Sequence, residues 1–371
     1  MSIDFHLLPH DGIRALTPYK PGKSIEELKR EKGISDIIKM ASNENPLGCS
    51  PLALAALHSM SAHSVAIYPS PTNHPLMSKL AGKLQIPVEQ LFLSNGSDHL
   101  FSMLLYCFAL HNDKHILTHE YAFSTYAIQA KTLHIPVRIA PINPTWQVNI
   151  EHLIQHCDKN TGLIFIANPN NPTGVLMNPQ EIKYLLERIP ESTLLVLDEA
   201  YYEFAASQLQ CNSLDWLVEH PNLVITRTFS KIYGMAGLRL GYAIAHPSII
   251  ELLHKVQLPF TVNQAGLAAA FAALDDDDFI RLSLQTNSEG MQQIQDGFNK
   301  LHINYLPSSC NFLTFDCEKD GLVLYNYLLE QGIIVRPLHA YKMNNYIRVT
   351  IGTTEQNSRF LNALNNYYLQ R

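Results

Sequence analysis

Residues 228–242 are TFSKIYGMAGLRLGY, and they overlap the end of an apolar run, LVITRTFS. That run has the β-branched composition of a buried strand, so Ser230 and Lys231 stand just after a predicted strand end. Arg239 follows Lys231 by eight residues. Taken alone, Lys231 would more often be a surface residue. The spacing nevertheless suits an amine nucleophile close to an arginine that can hold a phosphate.

Strand and helix patterns alternate along the chain before this segment, from residue 86 to residue 241. The predicted strands are QLFLSNG, HILTHE, GLIFIANP, TLLVLDEA and LVITRTFS, and the predicted helices include DHLFSMLLYCFAL and PQEIKYLLERI. Continuous apolar strands separated by helices indicate a mostly parallel sheet with helices on both faces. We therefore predict an α/β fold.

Polar residues cluster where the predicted strands end. The clusters are residues 95–97, 168–171, 198–199 and 230–231. Because ligands of open α/β sheets bind outside the carboxyl ends of the strands, these clusters predict a common site.

The chain of 371 residues divides into three predicted parts. Residues 1–45 are rich in proline, glycine and charge, which indicates an N-terminal arm. Residues 46–263 contain the alternating pattern and form the predicted large domain, which includes the clusters at the strand ends. From residue 264 onward, long helical stretches are followed by SSCNFLTFDC, IIVRPL and YIRVTIG, which predicts a smaller α+β domain over residues 264–371.

Composition narrows the classes of function. Hydrophobic residues make up 46% and charged residues 16%, as in ordinary globular enzymes, and the net charge of −6 provides no attraction for nucleic acid or an anionic membrane. The N-terminus lacks a secretory signal, and the longest strongly apolar stretch, residues 100–110, is too short to span a membrane. The six scattered cysteines suit free thiols, so we expect a cytoplasmic protein.

The motifs of several other enzyme classes are incomplete in the sequence or do not occur in it. PGKS at residues 21–24 lacks the earlier glycine of a phosphate loop, because residue 17 is threonine. Neither a G-x-S-x-G elbow nor a G-x-G-x-x-G turn occurs in the sequence. His111, His115 and His119 recur at four-residue spacing, but they pass through a loop into a strand, so we expect no metal site.

The segment 228–242 resembles the Schiff-base segment of fold-type I pyridoxal-phosphate enzymes, in which S-K is followed by G-x-R-x-G. Further matches appear in the chain order of the aminotransferases: NGSDHL at 95–100, NPNNPTG at 168–174 and LDEAY at 197–201. Singly, each residue has a bland alternative as a cap, a turn former or a core aromatic. Together they cover nearly the whole chain, and the resemblance implies a pyridoxal-phosphate aminotransferase of this fold.

The resemblance also implies a role for each matched residue. Lys231 would carry the cofactor and transfer the proton, and Asp198 would pair with the ring nitrogen. Asn171 and Tyr201 would reach the phenolic oxygen, and Tyr121 would stack on the ring. The cofactor phosphate would be held by the turn and the basic segment, through Gly96, Ser97, Asp98, Ser230 and Arg239.

Within this fold the sequence is most similar to the histidinol-phosphate aminotransferases. The similarity includes residues 14–33 and 41–48, the Y-P pair at Tyr68, GIIVRP at 332–337 and YIRVTIG at 346–352. It implies a homodimer in which Tyr68 reaches the phosphate site of the other subunit. It also implies that the substrate contacts are Tyr19, Asn43, Arg336 and Arg348.

The reaction implied by this resemblance is amino transfer between histidinol phosphate and 2-oxoglutarate, giving imidazole-acetol phosphate and glutamate. Three alternatives stay open at this point: an aromatic amino-acid aminotransferase, a threonine-phosphate decarboxylase, and a non-catalytic regulator built on the same fold. The regulator reading is the weakest, because such proteins usually have an additional DNA-binding domain and the chain has no segment of that kind before Tyr19.

Overall fold

A computed structural model describes residues 3–17, 22–111, 113–209 and 212–369. The strands in these ranges are β1 (Ile38–Lys39), β2 (Leu91–Ser94), β3 (His115–His119), β4 (Val137–Ala140), β5 (Thr161–Ala167), β6 (Leu194–Asp198), β7 (Leu223–Thr228), β8 (Gly241–Ala245), β9 (Phe312–Asp316), β10 (Ile333–Ile334), β11 (Arg336–Leu338) and β12 (Met343–Thr350).

The α-helices in the same ranges are α1 (Asp11–Arg14), α2 (Ile25–Lys32), α3 (Pro51–His58), α4 (Ala62–Ala66), α5 (Pro75–Leu84), α6 (Ser97–Phe108), α7 (Thr125–Thr132), α8 (Ile150–His156), α9 (Pro179–Leu186), α10 (Tyr202–Ala205), α11 (Pro247–Val256), α12 (Gln264–Ala273), α13 (Asp277–Lys300), α14 (Gly321–Glu330) and α15 (Thr354–Leu369).

The large sheet has the strand order β2-β8-β7-β6-β5-β3-β4. Strands β4, β3, β5, β6 and β7 pair in parallel in that order, whereas β8 pairs antiparallel with both β7 and β2. The mostly parallel α/β architecture predicted from the sequence is therefore confirmed. Residues 91–94, which the sequence predicts as a strand, form the edge strand β2.

Each face of the large sheet is buried under a separate hydrophobic core. Along β5, Ile164 and Ile166 contribute to one core, whereas Leu163 and Phe165 contribute to the other. Alternate residues of a strand point to opposite faces, so a strand covered on both sides has no polar positions. This explains why the sequence shows continuous apolar runs here.

The C-terminal part of the chain forms a second sheet, with the antiparallel order β11-β12-β9. Helices α13, α14 and α15 contribute to the core beside it, through residues such as Phe298, Leu328 and Phe360. This is the smaller α+β unit expected from the sequence.

The domain boundaries after residues 45 and 263 remain a prediction. Contacts of strand β1 and of helix α12 cross these two boundaries. Strand β1 of the predicted arm pairs in parallel with β10 of the C-terminal part. Helix α12 packs on α3 and contributes Leu267 and Ala270 to a core of the large sheet. Its small apolar residues need a buried surface on several sides, and α3 and α5 provide it.

Across the described ranges, none of the helices is both long enough and apolar enough to cross a membrane.

Candidate active site

A cavity of about 270 Å³ lies at the carboxyl ends of the parallel strands. Its wall includes the last residue of each of three neighbouring strands, Ala167 of β5, Asp198 of β6 and Thr228 of β7. The predicted site residues that line it are Asn43, Ser97, Asp98, Asn171, Asp198, Tyr201, Ser230, Lys231, Arg239, Arg336 and Arg348. The structure therefore brings together residues that are more than 300 positions apart in the sequence.

Lys231 extends into this cavity from the turn after β7. Its Nζ donates a hydrogen bond of 3.3 Å to the carbonyl oxygen of Ser42. Burial, and then the positive charge of Arg348, lower the pKa of the Lys231 amine from 10.5 to about 8. An amine with this pKa is neutral in a useful fraction of molecules near neutral pH, so it can act as a nucleophile or a base.

Asp198, the last residue of β6, lines the part of the cavity next to the sheet, called the cavity floor below, and is almost fully buried. Its Oδ2 accepts a hydrogen bond of 2.6 Å from the hydroxyl of Tyr126. Its Oδ1 accepts bonds of 3.2 Å from the hydroxyl of Thr226 and from the backbone N–H of Ala200. Burial raises the pKa of Asp198 to about 6, against the effect of these donors. A cationic or N–H-bearing partner in the cavity would stabilise its charge.

The N-terminus of α6, a helix of twelve residues, lies beside the side chain of Arg239. Gly96 precedes the helix with φ of 75°, and a Cβ there would lie 2.7 Å from a guanidinium nitrogen of Arg239. That guanidinium is also 3.6 Å from the carboxylate of Asp98. Free N–H groups at a helix start, next to an arginine, are suited to binding phosphate.

Two arginines from the C-terminal sheet form the opposite side of the cavity. Arg336 of β11 and Arg348 of β12 are direct partners in the antiparallel register. Arg348 donates to the side-chain oxygen of Asn171 and, at 2.7 Å, to the carbonyl oxygen of Ala41. Like charges directly opposite each other repel, so an anion bound beside both would be favourable.

Asn43 and Tyr201 connect the arm to the large sheet. The side-chain amide of Asn43 donates a 2.7 Å hydrogen bond to the hydroxyl of Tyr201. The backbone N–H of Asn43 donates at 2.9 Å to Thr350, two residues after Arg348. Burial raises the pKa of Tyr201, so this hydroxyl stays protonated and can donate to an oxygen in the cavity.

Among the described residues, three predicted ones do not line the cavity: Gly96, Tyr121 and Tyr68. Tyr121 has φ of 57° and packs on Trp146, with ring centroids 5.1 Å apart, outside the cavity. Tyr68 is 78% exposed and stacks on Phe260. Tyr19 lies outside the described residues.

Phe123 occupies the cavity wall where an aromatic residue was expected. The sequence HEYAFSTY contains three aromatic side chains within six residues, and their spacing does not tell which one faces the cavity. The structure places Phe123, and not Tyr121, in the cavity wall, so Phe123 is the better candidate to face a bound ring. The sequence interpretation also missed Glu44 and Tyr341, which line the cavity.

The chain matches the family model "Aminotransferase class I and II" over residues 35–364. It is 74% identical over 369 residues to histidinol-phosphate aminotransferase 2 of Legionella pneumophila (strain Lens), covering 100% of each chain. It is 41% identical over 360 residues to histidinol-phosphate aminotransferase 1 of Nitrosococcus oceani, covering 97% of this chain and 96% of that protein.

A solved structure supports the same grouping. The fold is similar to the crystal structure of histidinol-phosphate aminotransferase from Sinorhizobium meliloti in complex with pyridoxal 5′-phosphate, with a TM-score of 0.87, 26% identity and coverage of 98% of each chain. From the family match, the full-length similarity and a cavity with the family's lysine, aspartate and arginine, this protein belongs to the class I and II aminotransferases, in the histidinol-phosphate aminotransferase family.

Proposed function

We propose that the protein transfers the amino group of L-histidinol phosphate to 2-oxoglutarate, giving imidazole-acetol phosphate and glutamate, as a step of histidine biosynthesis. The observation that carries this proposal is the cavity itself. The Lys231 amine, the buried carboxylate of Asp198 and two arginines that are paired across a sheet, Arg336 and Arg348, all line it. Full-length similarity to the histidinol-phosphate aminotransferases selects the substrate.

As a class I and II aminotransferase, the protein uses pyridoxal phosphate as its cofactor. The residues fit this molecule: a Cβ at Gly96 would fill the space beside Arg239, and the N-terminus of α6 offers free N–H groups. The backbone N–H groups of Ser97 and Asp98 and the side chains of Ser230 and Arg239 would hold the phosphate. Asn171 and Tyr201 would contact the phenolic oxygen, and Phe123 would cover one face of the ring. Bound here, the cofactor supplies an electron sink for the breaking of the substrate Cα–H bond.

Lys231 is the base that removes the proton from the substrate Cα. Its pKa of about 8 leaves part of the population neutral at pH 7, which a surface lysine would not achieve. The same amine would hold the cofactor covalently through its aldehyde carbon. An arginine could not replace it, because a guanidinium does not lose its proton in proteins.

Asp198 would place a negative charge beside the ring nitrogen of the bound cofactor and would favour protonation of that nitrogen. A protonated ring accepts electrons more readily than a neutral one, so Asp198 acts on the chemical step more than on cofactor retention.

Arg348 and Arg336 bind the phosphate of histidinol phosphate, and Arg348 also binds the carboxylate of glutamate. Both anions fit the same pair of guanidinium groups, which is how one cavity serves both half-reactions. Asn43, held by Thr350 and Tyr201, completes the wall next to Arg348. Tyr19 would add a hydroxyl donor for the phosphate dianion.

A steady-state comparison of histidinol phosphate and phenylalanine as amino donors tests the substrate. Wild type should have the higher kcat/KM with histidinol phosphate. Arg348→Ala should weaken both donors. Tyr19→Phe should weaken histidinol phosphate more, by about ten- to a hundredfold, which corresponds to about 1.5–3 kcal/mol for one hydrogen bond to a charged group. A preference of wild type for phenylalanine would instead identify an aromatic amino-acid aminotransferase.

We also infer a homodimer with C2 symmetry. Tyr68 stacks on Phe260 with ring centroids 4.3 Å apart, and both rings are largely exposed, as are Val65 and Leu258 nearby in the sequence. Exposed aromatic and aliphatic side chains of this kind are typical of interfaces. Tyr68 would then reach the partner's phosphate site instead of its own.

Mixed dimers test this arrangement. A subunit with Lys231→Ala is combined with a subunit carrying Tyr68→Phe. In the mixed dimer one site has both defects and the other has neither, so activity should exceed that of both parent dimers. If verified mixed dimers show no gain, Tyr68 does not act across the interface.

We also infer that the protein acts in the cytoplasm. The cysteines of the described ranges are free thiols, which are typical of proteins in a reducing compartment.

A further inference from the structure

Tyr126, on α7, has no role in the reaction as described so far, yet it makes the shortest hydrogen bond to the cavity floor. Its hydroxyl donates to Oδ2 of Asp198 at 2.6 Å. The side chain is fully buried. Buried O–H···O⁻ bonds of this length are among the stronger hydrogen bonds in proteins.

The ring of Tyr126 is held on three sides by other aromatic rings. It stacks on Phe165 with centroids 4.9 Å apart and an interplanar angle of 16°. It meets Phe101 and Phe123 edge to face, at 4.9 Å and 5.6 Å. Because this packing leaves the ring no room to turn, the hydroxyl has one fixed direction, toward Asp198.

We propose that Tyr126 is a positioning residue, whose hydroxyl holds the Asp198 carboxylate both oriented and ionised toward the cofactor's ring nitrogen. The inference rests on the proposed function, since it concerns the partner that Asp198 meets in the cavity. Tyr126 also packs against Phe123 of the cavity wall, so one side chain supports both the floor and the wall of the ring's site.

The charge balance at Asp198 shows why this donor matters. Burial favours the neutral acid and raises the pKa of Asp198, and the nearby carboxylate of Asp98 acts in the same direction. The hydrogen bond from Tyr126 is the largest influence that favours the ionised form, ahead of those from Thr226 and Ala200. The titratable and charged groups around Asp198 are Tyr126 on α7, Asp98 on α6, Tyr201 after β6, and the cavity cations Lys231, Arg239 and Arg348.

Removing the hydroxyl should therefore make Asp198 a stronger base. The proton shared with the ring nitrogen would move toward the carboxylate, and the ring would become a weaker electron sink. The expected change in the proton-sharing equilibrium is about ten- to a hundredfold, the range for losing one hydrogen bond to a charged group.

The experiment uses the holoenzyme with cofactor labelled with nitrogen-15 in the ring. The nitrogen chemical shift reports whether the nitrogen carries the proton, independently of turnover. Tyr126→Phe is compared with Tyr242→Phe, which removes a buried hydroxyl that bonds to Arg227 and does not face Asp198. Phenylalanine preserves the aromatic packing, and thermal unfolding of both variants checks the fold.

In Tyr126→Phe, we expect the nitrogen signal at pH 7 to move toward the unprotonated position, with kcat reduced about tenfold or more and KM within about threefold. In Tyr242→Phe, the nitrogen signal, kcat and KM should all stay at the wild-type values. A wild-type nitrogen signal in Tyr126→Phe would overturn the proposal, whatever its activity.

A second variant tests the proposal if Tyr126→Phe does not fold. Thr226→Val removes the longer bond of 3.2 Å to Oδ1 of the same carboxylate, so it should move the nitrogen signal in the same direction by a smaller amount. No movement there would also contradict the proposal. Failure of the proposed function is distinguishable, because wild type itself would then not use histidinol phosphate as its preferred amino donor.

Discussion

Lys231 is held in the cavity at a cost to stability, and replacing it should stabilise the cofactor-free protein. Burial is the main cause of the fall in its pKa from 10.5 to about 8. A charged amine in this cavity is therefore less favourable than in the unfolded chain. Lys231→Met keeps the length of the side chain and removes the charge, so it isolates this effect.

The magnitude follows from the pKa. A fall from 10.5 to about 8 corresponds to about 3 kcal/mol at about 1.36 kcal/mol per pKa unit. Water in the open cavity and the loss of the bond to Ser42 reduce the gain, so we expect about 1–2 kcal/mol at pH 7. Below pH 8 both states are protonated and the penalty is complete. Between pH 8 and 10.5 only the unfolded state holds the proton, so wild-type stability recovers as the pH rises.

The assay is chemical unfolding of cofactor-free wild type and Lys231→Met at several pH values from 7 to 10. The difference in the free energy of unfolding should favour the variant at pH 7 and shrink toward pH 10. Lys319→Met, at an exposed position, is the matched control and should show no such trend. If Lys231→Met is less stable than wild type at pH 7, or if the difference does not change with pH, the inferred burial penalty is wrong.

Three further outcomes are expected. Gly96→Ala should weaken cofactor binding by about tenfold or more, measured by equilibrium titration, because the position has φ of 75° and a Cβ would lie 2.7 Å from a guanidinium nitrogen. Arg227→Met should lower the free energy of unfolding by about 3–5 kcal/mol, since it leaves the buried carboxylate of Glu199 unpaired, and adding Glu199→Leu should recover most of that loss in urea unfolding. Phe123→Ala should release the cofactor more readily than Tyr121→Ala in a dilution assay, and the reverse order would restore Tyr121 as the stacking residue.

Local sequence was enough for the parts of the site that are each carried by one short segment. Asp198 and Lys231 follow apolar strands, and the parallel sheet places all such strand ends at one edge. The position of these residues in one common cavity could therefore be predicted. The order of the strands and the antiparallel β8 do not follow from the runs themselves, because pairing depends on contacts between distant segments.

What the sequence by itself determined is the α/β class, the cluster of polar strand ends and, through its motifs, the family. Only the tertiary structure decided which aromatic residue faces the cavity, because the positive φ of Tyr121 and the packing of Phe123 depend on their neighbours. The same is true of the bond from Tyr126 to Asp198, which joins residues 72 positions apart. The residues of a short motif determine its local backbone conformation and spacing. A buried hydrogen bond between distant residues depends instead on how two separate elements pack, which cannot be predicted from either segment alone.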